Sequence, residues 1–557
     1  MTRIHLHGRA RAWLLSPIAA LVAVAAAFAL HATPAAASTK QVSLIQDGVA
    51  LNENPTADLA EMKELGGNTV RVLLFWWQVA PNSSSRTAPK GFTASNPAAY
   101  PARNWAQWDA IVEAAKAEGI RVDLDITGAP PDWADGKGVP KKFTNDRFGW
   151  IPNATDYGQF VTAVATRYSG HYTPPGASAP LPKVSLYSLW NEPNFGQNLG
   201  PQYVGATNKT AGLPVAPMYY RNLLRTGWTA LRQHAKGATI LIGELAGTGK
   251  GILPKRHNLP YGLPGQVSIS FPAPFIQQLY CVSSLSAAVA KSVGCPTGKA
   301  RGSFVRKNPA LFDASAFSMH PYASHWTPTA KASTIPKNDI VFPVIGRLST
   351  LLGQVTNAWH HHRTYNIWST EFGYVTSPPQ TSTKSKPYPS PQQAAIYLNE
   401  AEYLSYRNPR IASYAQYLLK DPQRLTGVGL FASGLISANG APKPAFNAYR
   451  MPVWMPQQTV KKGQNTLIWG GARPAPAGYQ ATHTAQPVQI QQLFGGVWHT
   501  LATVNASTST GYFETHVRFN NSGSLRLAYT YPATELALPA GVAGTTIYSR
   551  TVPVTAH

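Results

Sequence analysis

The chain has 557 residues, 48 Lys and Arg against 24 Asp and Glu, a formal charge of +24 and only two cysteines. That length excludes a small disulfide-stapled scaffold and allows one large domain plus a smaller one, each able to bury a core. The positive field favours acidic partners such as anionic glycans, envelope polymers or nucleic acid, or serves solubility alone; dispersal of the charges, with no Lys/Arg-rich block, argues against nucleic acid.

Residues 1–37 contain Arg3, Arg9 and Arg11, an apolar stretch from Trp13 to Leu30, and "HATPAAAS", in which Ala35 and Ala37 fit an A-x-A cleavage site. This pattern predicts a signal peptide over 1–37 and a mature chain starting near Ser38, without a retained membrane span. Loss of the three leader arginines lowers the charge from +24 to +21. The mature protein is expected to be secreted, or loosely attached to the cell envelope. In an oxidising compartment Cys281 and Cys295 are expected to pair, a closure worth about 3 kcal/mol on the loop-entropy model. Their spacing matches neither C-x-x-C nor the usual zinc patterns.

From Val42 to about Arg450, short β-rich apolar runs alternate with helical patterns. The runs are Val42 to Gln46, Thr69 to Trp76, Arg121 to Thr127, Val184 to Asn191, Thr239 to Glu244, Ala316 to His320, Tyr365 to Glu371 and Ala412 to Leu419. Helices are predicted over Pro55 to Leu65, Trp105 to Glu118, Asp156 to Tyr168, Pro217 to His234, Asp339 to Trp359, Pro391 to Arg407 and Pro444 to Arg450. The Gly/Pro-rich segment from Leu245 to Lys307 carries both cysteines and reads as an insertion rather than a clean helix. Eight such units predict an α/β fold, a (β/α)8 TIM barrel over 38–454, with an open doubly wound sheet as the alternative. After "RMPVW" the pattern alternates apolar and polar residues over Pro487 to Leu493, Val497 to Val504, Gly511 to Phe519 and Ser524 to Tyr531. Short strands at that spacing predict a small C-terminal β-sandwich over 455–557.

Carboxylates are scarce: between Asp156 and Glu400 only Glu192, Glu244, Asp313, Asp339 and Glu371 occur. Residues at the carboxyl ends of barrel strands face the site, and Glu192, Glu244 and Glu371 fall at the ends of the fourth, fifth and seventh runs. Two facing carboxyls are what glycosidic cleavage needs, one to protonate the leaving oxygen and one to attack or to activate water. Trp190 and Phe195 beside Glu192, and Trp368 and Phe372 beside Glu371, offer apolar surroundings that would keep an acid protonated. Glu244 reads either as a substrate contact or as one half of an ion pair. Asp123 and Asp125 share a parity on the third strand and read as inward polar groups without assigned chemistry.

"WNEPN" at the fourth strand and "STEFG" at the seventh resemble the paired motifs of clan A retaining glycoside hydrolases, the group that contains families 5 and 39 and cellulase-like enzymes. The resemblance covers roughly Val42 to Arg450. It implies that Glu192 is the general acid/base, Glu371 the nucleophile and Asn191 the partner of the sugar 2-hydroxyl. It also implies that Arg71 lies near the nucleophile, that Tyr322 of "SMHPY" bonds Glu371, and that His320 lines the site. Two departures stand out: "DITGAPPDWA" lacks the His that many family 5 members carry after the third strand, and "AQYLLKD" offers Gln416 and Tyr417 where the family has a Trp.

Pyranose rings pack on aromatic faces, so Trp76, Trp77, Trp133 and Trp326, each just beyond a strand, are candidate sugar platforms with core packing as the alternative. "WHHHRT" does not read as a metal site, because three consecutive residues cannot readily face one ion. "GELAGTGKG" lacks phosphate-loop spacing and no G-x-S-x-G occurs. The expected activity is secreted retaining β-glycosidase action on a polysaccharide or oligosaccharide, neutral or anionic, with no cofactor or metal. A non-catalytic envelope or polysaccharide-binding platform and a transglycosylase using the same residues are the alternatives.

Overall fold

The computed structural model describes residues 38, 40–139, 148–205, 212–249, 268–383, 387–425, 431–536 and 538–557. The signal peptide predicted over 1–37 lies outside the described residues, as does 250–267 within the insertion. Eight parallel strands, β1 (Val42–Gln46), β2 (Thr69–Phe75), β3 (Arg121–Thr127), β4 (Leu186–Leu189), β5 (Thr239–Ala246), β6 (Ala316–His320), β7 (Ile367–Ser369) and β8 (Ile411–Tyr417), close into a barrel in which β1 pairs with both β2 and β8. Each is buried on both faces, which is why they read as near-continuous apolar runs. The (β/α)8 barrel is therefore as expected, and the open sheet is excluded.

Helices α1 (Pro55–Glu64), α2 (Ala102–Glu118), α3 (Ala154–Arg167), α4 (Ala216–His234), α5 (Pro272–Leu279), α6 (Gly346–Asn357), α7 (Pro391–Tyr406) and α8 (Pro444–Arg450) cover the strands. Local chemistry sets their ends. Asn54 and Asn153 accept N–H bonds at the starts of α1 and α3, and Gly119 ends α2 at φ 71°. The helix predicted from Asp339 begins only at Gly346. Pro343 sits inside a 3-10 turn, Phe342–Val344, and cannot donate to a longer helix. The insertion is more regular than its glycine and proline content suggests, with α5 just before Cys281 and a second helix, Ala287–Ser292, inside the loop that the Cys281–Cys295 disulfide closes. Arg221 of α4 ties these pieces together by donating to the carbonyls of Leu279 and Val293.

Inside the barrel, Leu186, Leu241, Ala316 and Trp368 form an apolar plug of their own with Val42 and Ala412. Further along the barrel the buried strand side chains include polar ones: Arg71, Asp123, Asp125, Ser188, Glu244 and Ser318. The barrel thus has an apolar floor beneath a polar chamber.

The C-terminal region contains β9 (Val453–Trp454), β10 (Thr459–Val460), β11 (Asn465–Gly471), β12 (Pro487–Phe494), β13 (Val497–Asn505), β14 (Tyr512–Arg518), β15 (Gly523–Thr530), β16 (Thr546–Tyr548) and β17 (Val552–Ala556). One sheet has the order β9-β11-β14 and the other β10-β17-β15-β12-β13, with β16 also on β15. Ile468 and Val517 of the first sheet pack with Val488, Ile490, Leu525, Leu527 and Val552 of the second, the arrangement of a β-sandwich. The four predicted strands are β12 to β15. Met451 and Val453, ahead of position 455, already belong to this core.

The sandwich is fastened to α7. Arg473 donates to Glu402 at 2.6 Å and to the Tyr449 carbonyl at 2.8 Å, while the Tyr512 hydroxyl reaches Glu402 at 2.6 Å. Both members of the ion pair are buried, and Trp469 packs among Tyr403, Tyr406 and Tyr512 beside them. Removing one partner of such a pair strands a charge in the interior, at a cost of about 3–5 kcal/mol. Arg473→Met is therefore expected to lower stability by about that amount in denaturant unfolding. A loss below about 0.5 kcal/mol, the range of a surface substitution, would contradict this anchoring role.

Candidate active site

The segment after β4 leaves the strand abruptly. Trp190 and Glu192 adopt left-handed backbone at φ 71° and 41°, which directs the Glu192 side chain over the chamber. Several contacts hold that geometry. The Trp190 indole is buried against Tyr157 and fills the space above Gly128, where an added Cβ would lie 2.5 Å from the ring. The N–H of Asn191 donates to Thr127 Oγ1 at 2.9 Å, and that of Glu192 to the Glu244 carbonyl at 2.9 Å. Asn194 clamps the loop by donating to the carbonyls of Ala246 and Ser270 at 3.0 and 2.9 Å.

Arg71, fully buried on β2, organises the chamber. Nη1 donates to Gln46 Oε1 at 2.8 Å and to Glu371 Oε1 at 2.5 Å. Nη2 is shared among Asp125 Oδ2 at 2.6 Å, Asn191 Oδ1 at 2.9 Å and Glu244 Oε2 at 3.1 Å. Tyr322 donates to the other Glu371 oxygen, Oε2, at 2.8 Å. Burial, then Glu371, holds the Tyr322 phenol well above its ordinary value, so it acts there as a donor. Both nucleophile-candidate oxygens are therefore fixed by separate donors.

His320 ends β6 with Nδ1 3.0 Å from Glu192 Oε1 and 3.5 Å from Glu371 Oε2, and Nε2 2.9 Å from Glu244 Oε2. Burial alone would lower its pKa, but Glu371, Glu192 and Glu244 together push it up to about 10 against the opposing charge of Arg71. Burial opposes the charge on Glu244 as well, yet Arg71 and His320 hold its carboxyl far below the usual range. Burial reinforced by Glu244 pushes Asp123 up to about 7. Two cations, Arg71 and His320, thus face Glu244 and Glu371. An oxygen of Glu192, an oxygen of Glu371 and a ring nitrogen of His320 all lie within 4.8 Å of one another. This is the trio among the described residues whose atoms are close enough to hold a cation, and His320 could join one only as a neutral ring.

The two central side chains stay open to the mouth, with exposures of 21% for Glu192 and 10% for Glu371. Glu192, Glu371, Asn191, Arg71, His320 and Tyr322 are all brought together. The aromatic surroundings are not as expected. Trp190 packs on Tyr157, Trp368 joins the apolar plug below the chamber, and Phe372, next to Glu371, turns the other way to pack on Phe342 and Tyr374. The carboxyls sit in polar company instead.

Nor is Trp76 a platform: it is fully buried and stacked on Phe160 at 5.5 Å. Trp76 and Trp77 open a helical turn, Trp76–Val79, whose pitch sends neighbouring side chains in different directions, leaving Trp77 half-buried. Trp133 is half-buried with its edge against Trp76 and its N–H on the Pro81 carbonyl, and Trp326 is half-buried against Ile335, Val341 and Val344. Glu244 is an ion-pair partner rather than an exposed sugar contact. Gln46, Ser188 and Thr370 were missed as members of the network, and Asp125 was placed inward but given no role. Strand-end position for Gln46 and inward parity for Asp125 and Ser188 were the available signals. Beside Tyr322, Tyr417 and Phe431 complete an aromatic corner, with ring centroids 5.8 and 6.2 Å from the Tyr322 ring.

The sequence model of a family described as Cellulase (glycosyl hydrolase family 5) matches residues 35–388. No curated relative matches the chain. Similar solved structures include a family 39 glycoside hydrolase from the gut symbiont Bacteroides cellulosilyticus WH2, at 14% identity and TM-score 0.46 over 86% of this chain and 81% of that one. An exo-β-1,4-mannosidase from Opitutaceae bacterium strain TAV5 aligns at 16% identity and TM-score 0.38, covering 73% and 58% of the two chains. A family 1 β-glucosidase from Thermotoga maritima aligns at 13% and 0.43, covering 70% and 82%.

The Tyr322 contact yields a direct test. A hydrogen bond to a charged group is worth about 1.5–3 kcal/mol, so Tyr322→Phe is expected to lower kcat/KM roughly 10- to 150-fold while the fold persists. Unchanged kinetics would separate Tyr322 from the function of Glu371.

Proposed function

The chain belongs to the cellulase family of glycosyl hydrolases, family 5, and on that footing we propose that it is an exported retaining β-glycosidase acting on a polysaccharide or oligosaccharide. The observation that carries this reading is the spacing of the two carboxyls, whose oxygens approach within 4.8 Å. Retaining enzymes hold their carboxyls about 5–5.5 Å apart, whereas inverting ones leave about 6.5–9.5 Å for a water.

The residues divide the chemistry between them. Glu371 attacks the anomeric carbon as the bond to the leaving oxygen breaks and the Glu192 proton passes to that oxygen. In the second step Glu192 takes a proton from water while the water oxygen displaces Glu371, which restores both groups. Arg71 and Tyr322 each hold one Glu371 oxygen, so the attacking atom is positioned before substrate arrives. Because Arg71 occupies Asn191 Oδ1, the Asn191 amide is left with its N–H bonds to offer a sugar 2-hydroxyl. A purely binding platform has no use for two carboxyls held open at this spacing. The leader supports export, and no helix among the described residues is long and apolar enough to cross a membrane.

Turnover of aryl β-glycosides and of plant, fungal and bacterial polysaccharides by the wild type, Glu371→Gln and Glu192→Gln tests the assignment. Glu371→Gln is expected to be inactive. Glu192→Gln should lose about 10²- to 10⁴-fold on substrates that need protonation, with azide restoring turnover of activated ones. Retained activity in Glu371→Gln would sink the proposal, and polymer binding without turnover would favour the platform. For export, N-terminal sequencing of protein recovered from the medium is expected to begin at Ser38, and an intact Met1 terminus would refute cleavage.

A further inference from the structure

Glu244 takes no direct part in double displacement, yet much of the chamber is arranged around it. Between Ile242 and Leu245 the pairing of β5 with β6 slips, and this bulge turns the Glu244 side chain inward. Gly243 adopts φ +111°, and a Cβ there would lie 2.4 Å from the Ser318 carbonyl oxygen. Glu244 itself is left-handed at φ 46°, an uncommon conformation for a residue with a side chain. Its N–H donates to Ser318 Oγ at 3.1 Å and its carbonyl accepts the Glu192 N–H at 2.9 Å. The carboxylate is fully buried and well supplied with donors: Ser188 at 2.7 Å on Oε1, and Thr370 at 2.7 Å, His320 at 2.9 Å and Arg71 at 3.1 Å on Oε2. It cannot reach a substrate. It touches the side chains that touch both reacting carboxyls.

Resting on the glycosidase reading, we propose that Glu244 is a positioning residue that keeps His320 doubly protonated, so that one N–H serves whichever of Glu192 and Glu371 carries negative charge. In double displacement that charge moves from Glu371 in the free enzyme to Glu192 in the glycosyl-enzyme. His320 Nδ1 is hydrogen-bonded to Glu192 at 3.0 Å and lies at ion-pair distance, 3.5 Å, from Glu371, so a small shift of the ring brings it to either. A neutral ring donating to Glu244 through Nε2 would turn a lone pair toward Glu192 and repel it once ionised. With Glu244 as counter-ion both ring nitrogens donate. Among the described residues, Arg71 opposes protonation and the Asp125 side chain interacts electrostatically with the ring. The elevation of His320 to about 10 agrees with this arrangement.

Histidine-selective ¹⁵N NMR of the full-length wild type, with the His320 signals identified by their loss in His320→Gln, reads the ring directly. Both nitrogens are expected to be protonated at pH 8. Because the folded value lies above the ordinary 6.5, the stabilisation from this charge is complete below pH 6.5 and is lost as pH rises through about 10. In Glu244→Gln, His320 is expected to lose its second proton at a lower pH than in the wild type, and kcat is expected to fall about tenfold or more above that pH with KM little changed. A neutral His320 at pH 7 in active wild type overturns the proposal even if Glu244→Gln fails to fold. A folded Glu244→Gln with an unaltered pH profile overturns it as well. A wild type inactive on every glycoside, with His320 still doubly protonated, overturns the glycosidase reading and leaves the charge assignment standing.

Discussion

The buried guanidinium of Arg71 is the constraint on which the rest of the site depends. Five acceptors, Gln46, Asp125, Asn191, Glu244 and Glu371, converge on its two terminal nitrogens from five different barrel strands or the loops that follow them. No other side chain combines a permanent charge with a planar fork of donors, so a lysine could not replace this geometry. The arginine helps hold the Glu244 carboxyl below the usual range against burial, whereas burial keeps that of Asp125 well above it, and the fork fixes where each one points. It also decides the chemistry of Asn191, since taking its oxygen leaves only donors free.

A polar chamber of this kind needs a scaffold that does not yield. The apolar plug of Leu186, Leu241, Ala316 and Trp368 closes the barrel below it, and the bulge at Gly243 and Glu244 turns a carboxylate inward from a strand that would otherwise present aliphatic residues. The loop carrying Glu192 is strained at two positions and held by Thr127, Glu244 and Asn194. Left-handed backbone at residues with side chains persists only where the surroundings enforce it. On the far side, Arg473 and Glu402 join the sandwich to α7 through a buried ion pair, which makes the C-terminal region part of the barrel's support.

Much of this was legible from the residues alone. Eight apolar runs with helical patterns between them are enough to give the barrel, because parallel strands buried on both faces leave that signature. Glu192 and Glu371 could be singled out because acidic residues are scarce and strand ends face the site. What escaped the reading depends on contacts between segments distant in sequence. The inward turn of Glu244 needs the register slip against β6, which no local pattern encodes. The fates of Trp76 and Trp77 depend on a single helical turn after β2. Phe372, next to the nucleophile in sequence, turns to the other side of the chain, and Trp368 lies a level deeper in the barrel. Strands β9 to β11 were missed because two of them are only two residues long and Gly470 and Gly471 dilute the pattern in the third.

The claim at the centre of this account is that Glu371 and Glu192 act by double displacement across a narrow gap. Following the first-formed sugar by ¹H NMR during hydrolysis of a β-glycoside, before mutarotation sets in, tests it without any mutation. The account predicts that the β-anomer appears first, since two inversions restore the original configuration. Initial release of the α-anomer would mean a single displacement by water and would contradict it.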